Sequence, residues 1–221
     1  MKTKARIALL LAAALLLSIA GCAAKPEERP YEAPVRAFEA LLNNADAQWP
    51  DAVNAAVGDF CGDELTRIAT LMIRTGITTD EIMTDRMLGE YRAVYGYGCT
   101  FAFAIQKAEP MDDQMLKHYR AQLDHDSAFF GDNLTKLQRD GAVDWESGQP
   151  LEETAEMEEL CTTLRDRFAG AEISEGYVVT MLVTVSGGDL KAPDQGEDTM
   201  NILCIDGVWV IGDVFDNNYV Q

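Results

Sequence analysis

The sequence has little with which to do chemistry. Of its 221 residues only two are histidine, His118 and His125. On a helix their spacing of seven sets them two turns apart, too far for the i, i+4 pair that holds a metal. Beyond the N-terminal segment, serine occurs only at Ser127, Ser147, Ser174 and Ser186. None stands in Gly-x-Ser-x-Gly, which excludes the strained nucleophile turn of the α/β-hydrolases. No Cys-x-x-Cys pair supplies a zinc-site spacing. Gly96-Tyr97-Gly98 is not accompanied by the rest of any phosphate-cradling loop and reads as the start of a strand. Positive charge is also scarce, 18 basic against 37 acidic residues for a net charge of −19. After Arg6 no polybasic stretch occurs, so neither nucleic acid nor an anionic headgroup layer is an expected partner of the protein surface.

What the chain does have begins at its N-terminus. Lys2, Lys4 and Arg6 precede an apolar run of 14 residues, Ile7–Ala20, interrupted only by Ser18. A spanning helix needs ~20 residues, so this layout reads as a removable secretory signal. It closes on Ile19-Ala20-Gly21-Cys22, which resembles the lipobox of bacterial lipoproteins. The resemblance implies cleavage before Cys22 and a diacylglyceryl thioether on its sulfur. Two acyl chains give stable anchoring where one does not. The expected division is a signal over 1–21, the lipidated cysteine and a Pro- and Glu-rich tether over 22–34, and a single domain over 35–221. Loss of residues 1–21 removes three basic residues and no acidic one, leaving 200 residues with a net charge of −22. The protein is thus expected to lie outside the cytoplasm and to touch the membrane through its lipid.

Four further cysteines, Cys61, Cys99, Cys161 and Cys204, allow three pairings. Cys99 has the strand parity of Phe101, Phe103 and Ile105, and Cys161 shares a helical stripe with Leu164 and Phe168. Both suit small buried hydrophobes, and free thiols are favoured over two disulfides.

Periodicity divides the domain. Val35, Phe38, Leu41 and Leu42 mark a helix. Trp49-Pro50-Asp51 starts a short one through Val57, and Leu65, Ile68, Leu71 and Met72 mark another, ended by Gly76. Thr78-Thr79-Asp80-Glu81 opens a helix with a capping box. Residues 97–107 alternate as a strand. Pro110 and Asp112-Asp113 introduce a helix with Met115, Leu116, Tyr119 and Leu123. Residues 126–150 are mixed, and an acidic helix runs from about Leu151 to Phe168. Tyr177–Val185 is a strand. Residues 187–198 read as a polar loop, and strands over Thr199–Ile205 and Val208–Val214 join at Asp206-Gly207, a strong hairpin signal.

Helices segregated from an antiparallel sheet make an α+β domain. Residues Ile205–Ile211 (IDGVWVI) resemble the closing hairpin of extracytoplasmic domains with the cystatin-like or nuclear-transport-factor-2-like fold. That resemblance implies N-terminal helices packed on a curved antiparallel sheet, here moderately elaborated. Its residue-level extent is the last hairpin alone. Some enzymes of this cone fold use an Asp–His pair, for which His118 or His125 beside Asp124 or Asp126 would serve; both histidines are read here as solvated. Asp189, Asp194, Glu197 and Asp198, and Asp213 with Asp216, do not match a calcium loop and are read as solvated. No metal and no cofactor is expected.

The leading expectation is a non-catalytic binding module for a small apolar ligand or a protein partner, with Phe101, Phe103, Tyr177 and Trp209 as pocket residues chosen by sheet-face parity. A cone-fold enzyme and an envelope assembly subunit are the alternatives.

Overall fold

A computed structural model describes residues 29–76, 94–95, 98–188 and 190–215. The signal, Cys22, most of the tether, the helix expected from Thr78, and Gly96, Tyr97, Asp189 and Asp216 lie outside the described residues. The rest is α+β: four helices and one four-stranded antiparallel sheet among the described residues.

Helix α1, Glu32–Leu42, buries Val35 and Leu41, with Phe38 and Leu42 half-buried on the expected stripe. Helix α2, Trp49–Arg74, opens where the Gln48 N–H donates to Asp51 Oδ2 at 2.8 Å. It is kinked at Gly58, whose φ of 36° and ψ of −125° are left-handed, and again at Cys61. Only glycine takes such a φ without strain, so the expected separation of a short helix ending at Val57 from the stripe beginning near Leu65 is present as a kink. Strand β1, Cys99–Pro110, follows. Helix α3, Asp113–Asp140, is capped by Asp112 Oδ1, which accepts from Met115 N at 2.9 Å, and stops at Gly141 with φ 70°. Helix α4, Thr154–Gly170, buries Leu160, Cys161, Leu164 and Phe168, the stripe read from the sequence.

Strands β2 (Ile173–Gly187), β3 (Asp194–Ile205) and β4 (Val208–Ile211) complete the sheet in the order β1-β2-β3-β4, each pair antiparallel. Asp206 and Gly207 join the last two with φ of 51° and 81°, as the expected hairpin turn requires. The register sets Phe101 opposite Val185, Phe103 opposite Val183, Tyr177 opposite Ile202, and Ile202 opposite Ile211. These residues share one face, and α1 lies against it, with Phe38 6.3 Å from Phe103 and Tyr31 4.9 Å from Tyr177 between ring centres. On the opposite face Leu203 and Val210 are fully buried, and Met111, just ahead of α3, lies over Gly176 beside Leu203. A Cβ at Gly176 would stand 2.7 Å from Met111 Sδ.

Several boundaries differ from the sequence reading, among them β2, which extends beyond Tyr177–Val185 at both ends. Residues 126–140 continue α3, because Leu123, Phe130 and Leu134 keep a buried stripe past Gly131. The polar loop is shorter than expected, since β3 begins at Asp194. Its first residues are exposed on both faces, so no alternation of hydrophobicity marks them. Strand β4 ends at Ile211 and a 3-10 turn, Gly212–Phe215, follows.

Candidate functional site

The four aromatic residues expected to line a pocket do share one sheet face, but they form packing. Phe101 and Phe103 are buried in the core. Tyr177 is half-buried between Tyr31 and Trp209, with centroid distances of 4.9 and 5.9 Å. The Tyr177 hydroxyl has its pKa raised by partial burial and by the nearby Glu175 carboxylate. Rings at these separations fill space and gain from edge and offset contacts.

Among the described residues an open cavity lies in the layer built by α2, α3 and α4. Its volume is about 290 Å³. Ile68, Met72 and Thr75 come from α2, Met157 and Cys161 from α4, and Phe130 and Leu137 from α3. The mouth carries Phe129, Asn133, Lys136, Asp140 and Val143. Phe129 and Phe130 are adjacent on a helix, so they cannot both face inward. Phe130 stacks on Phe168 at 5.8 Å and 4°, and Phe129 is left 45% exposed at the rim.

The rim is held by a short connection between α3 and α4. Asp144 Oδ1 accepts from the backbone N–H and the hydroxyl of Ser147, each at 2.8 Å. These bonds hold the Asp144 carboxyl below its usual pKa, the backbone bond contributing most. Val143 pairs with Pro150 as an isolated bridge, and Leu151 N donates to Ala142 O at 2.8 Å. Trp145 at the tip is 63% exposed, and its backbone N–H donates to Arg74 O at the end of α2 at 3.1 Å. Its ring lies over Gly76, where a Cβ would come within 2.8 Å. Arg74 pairs with Glu153, whose carboxyl pKa is lowered by that bond, and Arg67 with Glu156 at 2.5 Å. These exposed pairs set orientation and contribute little energy.

Burial pushes the Cys161 thiol up to about 11, with the Glu158 charge adding to the rise. Cys61 is pushed up to about 12 by burial, opposed by Arg167 and reinforced by Glu64 and Asp126. Both are therefore protonated, weakly nucleophilic thiols at neutral pH. Cys204 is buried and Cys99 half-buried, and all four are free. The half-buried Cys99 Sγ donates to Tyr95 O at 3.1 Å.

His118 and His125 are exposed on α3, and neither lines the cavity. Asp194 and Glu197 lie exposed on β3 near Asp198, and Asp213 is engaged by Asn201; among the described residues no three such groups come together to hold a metal ion. Sequence reasoning missed the cleft because its lining comes from three helices distant in sequence. Two local signals pointed to it: the Phe129-Phe130 pair, and a tryptophan in the polar turn at Trp145. Comparison with protein families, with curated proteins and with solved structures finds no match for this chain, so the likeness of its closing hairpin to cone-fold domains carries no functional residue over.

Proposed function

We propose that this protein is a lipid-anchored, extracytoplasmic binding module that holds a small apolar ligand in the cleft between α2, α3 and α4. The observation that carries the reading is the cleft: about 290 Å³, walled mainly by methionine, leucine, isoleucine and phenylalanine side chains, with Asn133, Lys136 and Asp140 at the mouth. A dry cavity of about 150 Å³ accepts benzene, so this one has room for a larger apolar molecule. Thr75 Oγ1 and Asn133 Nδ2 already donate to the backbone oxygens of Met72 and Phe129, each at 2.8 Å, and ask little of a ligand. The lipobox at Cys22 supports the location, and the strongly acidic composition supports contact with the bilayer through lipid alone.

The neutral probe N-phenyl-1-naphthylamine tests the site. Its fluorescence is expected to rise on binding with one-to-one stoichiometry. Cys161→Leu, which adds bulk at the cleft, is expected to abolish that rise while thermal melting shows a folded protein. Equal probe binding by a folded Cys161→Leu protein would place the ligand elsewhere. The anchor has its own test: Cys22→Ala is expected to leave the precursor uncut and move the protein to the soluble fraction. A second reading, docking of a protein partner at the same mouth, is favoured by exposed Phe129, Val143 and Trp145. It predicts that Trp145→Ala weakens capture of that partner without changing probe binding.

A further inference from the structure

The two edges of the sheet are finished differently. On β1 the outward backbone is closed by side chains of the α1 region. Asn43 Nδ2 donates to Phe101 O at 2.8 Å, and Phe101 N donates to Asn43 Oδ1 at 2.8 Å. Arg36 Nη1 donates to Phe103 O at 2.6 Å. The amide of Asn43 thus takes the place of a neighbouring strand. On the other side, among the described residues, β4 covers Ile202–Ile205 of β3, and residues 194–201 pair with β2.

The pairing with β2 is in continuous register from Asp194 to Cys204, so successive N–H groups alternate between the two sides of β3. Asn201 N donates at 3.1 Å to Asp213 Oδ2, and Asp213 follows β4 in sequence, so the N–H groups of Asn201 and its parity mates point away from β2. Two of those mates are also held by carboxylates. Gln195 N donates to Asp194 Oδ1 at 3.0 Å, and Thr199 N donates to Asp198 Oδ1 at 2.8 Å. Of the outward donors at Gln195, Glu197 and Thr199, the first and last thus rest on acids of the same chain.

We propose that the β3 edge over Asp194–Thr199 is a strand-addition site for a cationic extended segment of a partner protein. Strand addition draws affinity from main-chain hydrogen bonds and specificity from side chains. The partner's carbonyls take the Gln195, Glu197 and Thr199 N–H groups. Its lysines or arginines on one face pair with Asp194 and Asp198 and draw the two aspartates off the backbone, while Glu197 adds negative charge on the other face. Gly196 offers open space at the centre of the stretch, where an added Cβ would meet nothing within 4 Å. A second copy of this chain is a poor occupant, because antiparallel pairing of two such edges sets carboxylates against carboxylates, which is destabilising. The overall charge of −19 further attracts a basic segment and repels a copy.

The probe is an alternating Lys-Val peptide of eight residues, compared with the same peptide N-methylated at alternate positions on either edge. Amide exchange read by NMR is expected to show the Gln195, Glu197 and Thr199 N–H groups protected by the unmodified peptide. The methylated peptides, with equal charge but one edge blocked, are expected to bind about tenfold more weakly for the blocked edge that faces β3. The variant carrying Asp194→Asn, Glu197→Gln and Asp198→Asn is expected to lose most of the salt-sensitive affinity and to self-associate in sedimentation. Equal binding of all peptides, or no protection at these three amides, would overturn the proposal. So would a wild-type dimer with these amides already protected, since the occupant would then be a second copy.

Discussion

Two regions of this molecule are rich in aromatic and sulfur-bearing side chains; in one the rings pack on each other, and in the other they border a cavity. On the sheet face, Phe38, Phe103, Tyr31, Tyr177 and Trp209 meet one another at 4.9 to 6.3 Å. In the helical layer, Phe129, Phe130, Met72, Met157 and Cys161 border a void of about 290 Å³. The difference is geometric. Side chains on a sheet stand in a regular array, and a helix laid across it fills the rows. Three helices, of which only α3 and α4 are joined directly, leave a gap wherever their ridges do not interdigitate. Aromatic content therefore does not mark a pocket. The meeting of three elements whose mutual approach is fixed elsewhere does, here by the α3–α4 connection and by Arg74–Glu153 and Arg67–Glu156.

The comparison breaks most readily at Phe103. It is 3% exposed, and Phe103→Ala is expected to cost about 3–5 kcal/mol of stability. Chemical denaturation checks this, and a loss below ~1 kcal/mol would mean that the sheet face is looser than its packing implies. Asn43→Ala comes next. It leaves the Phe101 N–H and C=O without their side-chain partner and is expected to cost about 1–3 kcal/mol. Since Asn43 serves the same sheet face from its edge, the loss should appear as earlier amide exchange along β1 with the helical layer unchanged.

Raising the pH sharpens the contrast from the other side. Cys61 and Cys161 stand at about 12 and about 11 in the fold against an ordinary value of 9.0, because burial disfavours the thiolate. Above pH 9 the unfolded chain releases these protons and the native state retains them, so stability falls as pH rises. The stabilisation is complete below about 9 and is lost across the window up to about 11 for Cys161 and about 12 for Cys61. Both thiols belong to the helical layer. Cys61→Ala with Cys161→Ala is therefore expected to flatten the alkaline limb of a stability–pH curve, whereas Phe103→Ala shifts the curve downward at every pH. An alkaline limb unchanged in the double variant would assign the loss to other groups.

The elements were legible where one face is buried and the other wet. The stripe of α4, the kink before Leu65, the Asp112 cap and the Asp206-Gly207 turn all follow from local spacing and backbone preference. The α+β class follows from their order. The start of β3 was not legible, because a strand end without a covered face carries no period-2 signal, and α3 was cut short because Gly131 and the exposed Phe129 blur its stripe. The site was less legible still. Parity placed Phe101, Phe103, Tyr177 and Trp209 on a common face, but parity says nothing about whether a helix fills the space before it. Cys161 was read as a small buried hydrophobe, which it is; that it borders a void depends on Ile68 and Met72, some ninety residues away in sequence.

The smallest expected effect on stability discriminates best between the two regions. Phe129 is 45% exposed at the cleft mouth, so Phe129→Ala removes little buried surface and is expected to cost less than about 1 kcal/mol. Its consequence should appear in chemistry instead. Cys161 borders the same cleft, and a small neutral thiol reagent such as methyl methanethiosulfonate reaches it through the mouth. Cys99, half-buried at the start of β1, is expected to react first, Cys161 later, and Cys61 later still, because its burial pushes the thiol to about 12 against about 11 for Cys161. Phe129→Ala is expected to speed modification of Cys161 with Cys99 unchanged, and N-phenyl-1-naphthylamine to slow it with Cys99 again unchanged. Peptide mass mapping separates the sites. Parallel changes at both cysteines would reveal general loosening, and probe protection at Cys99 alone would return the ligand to the sheet.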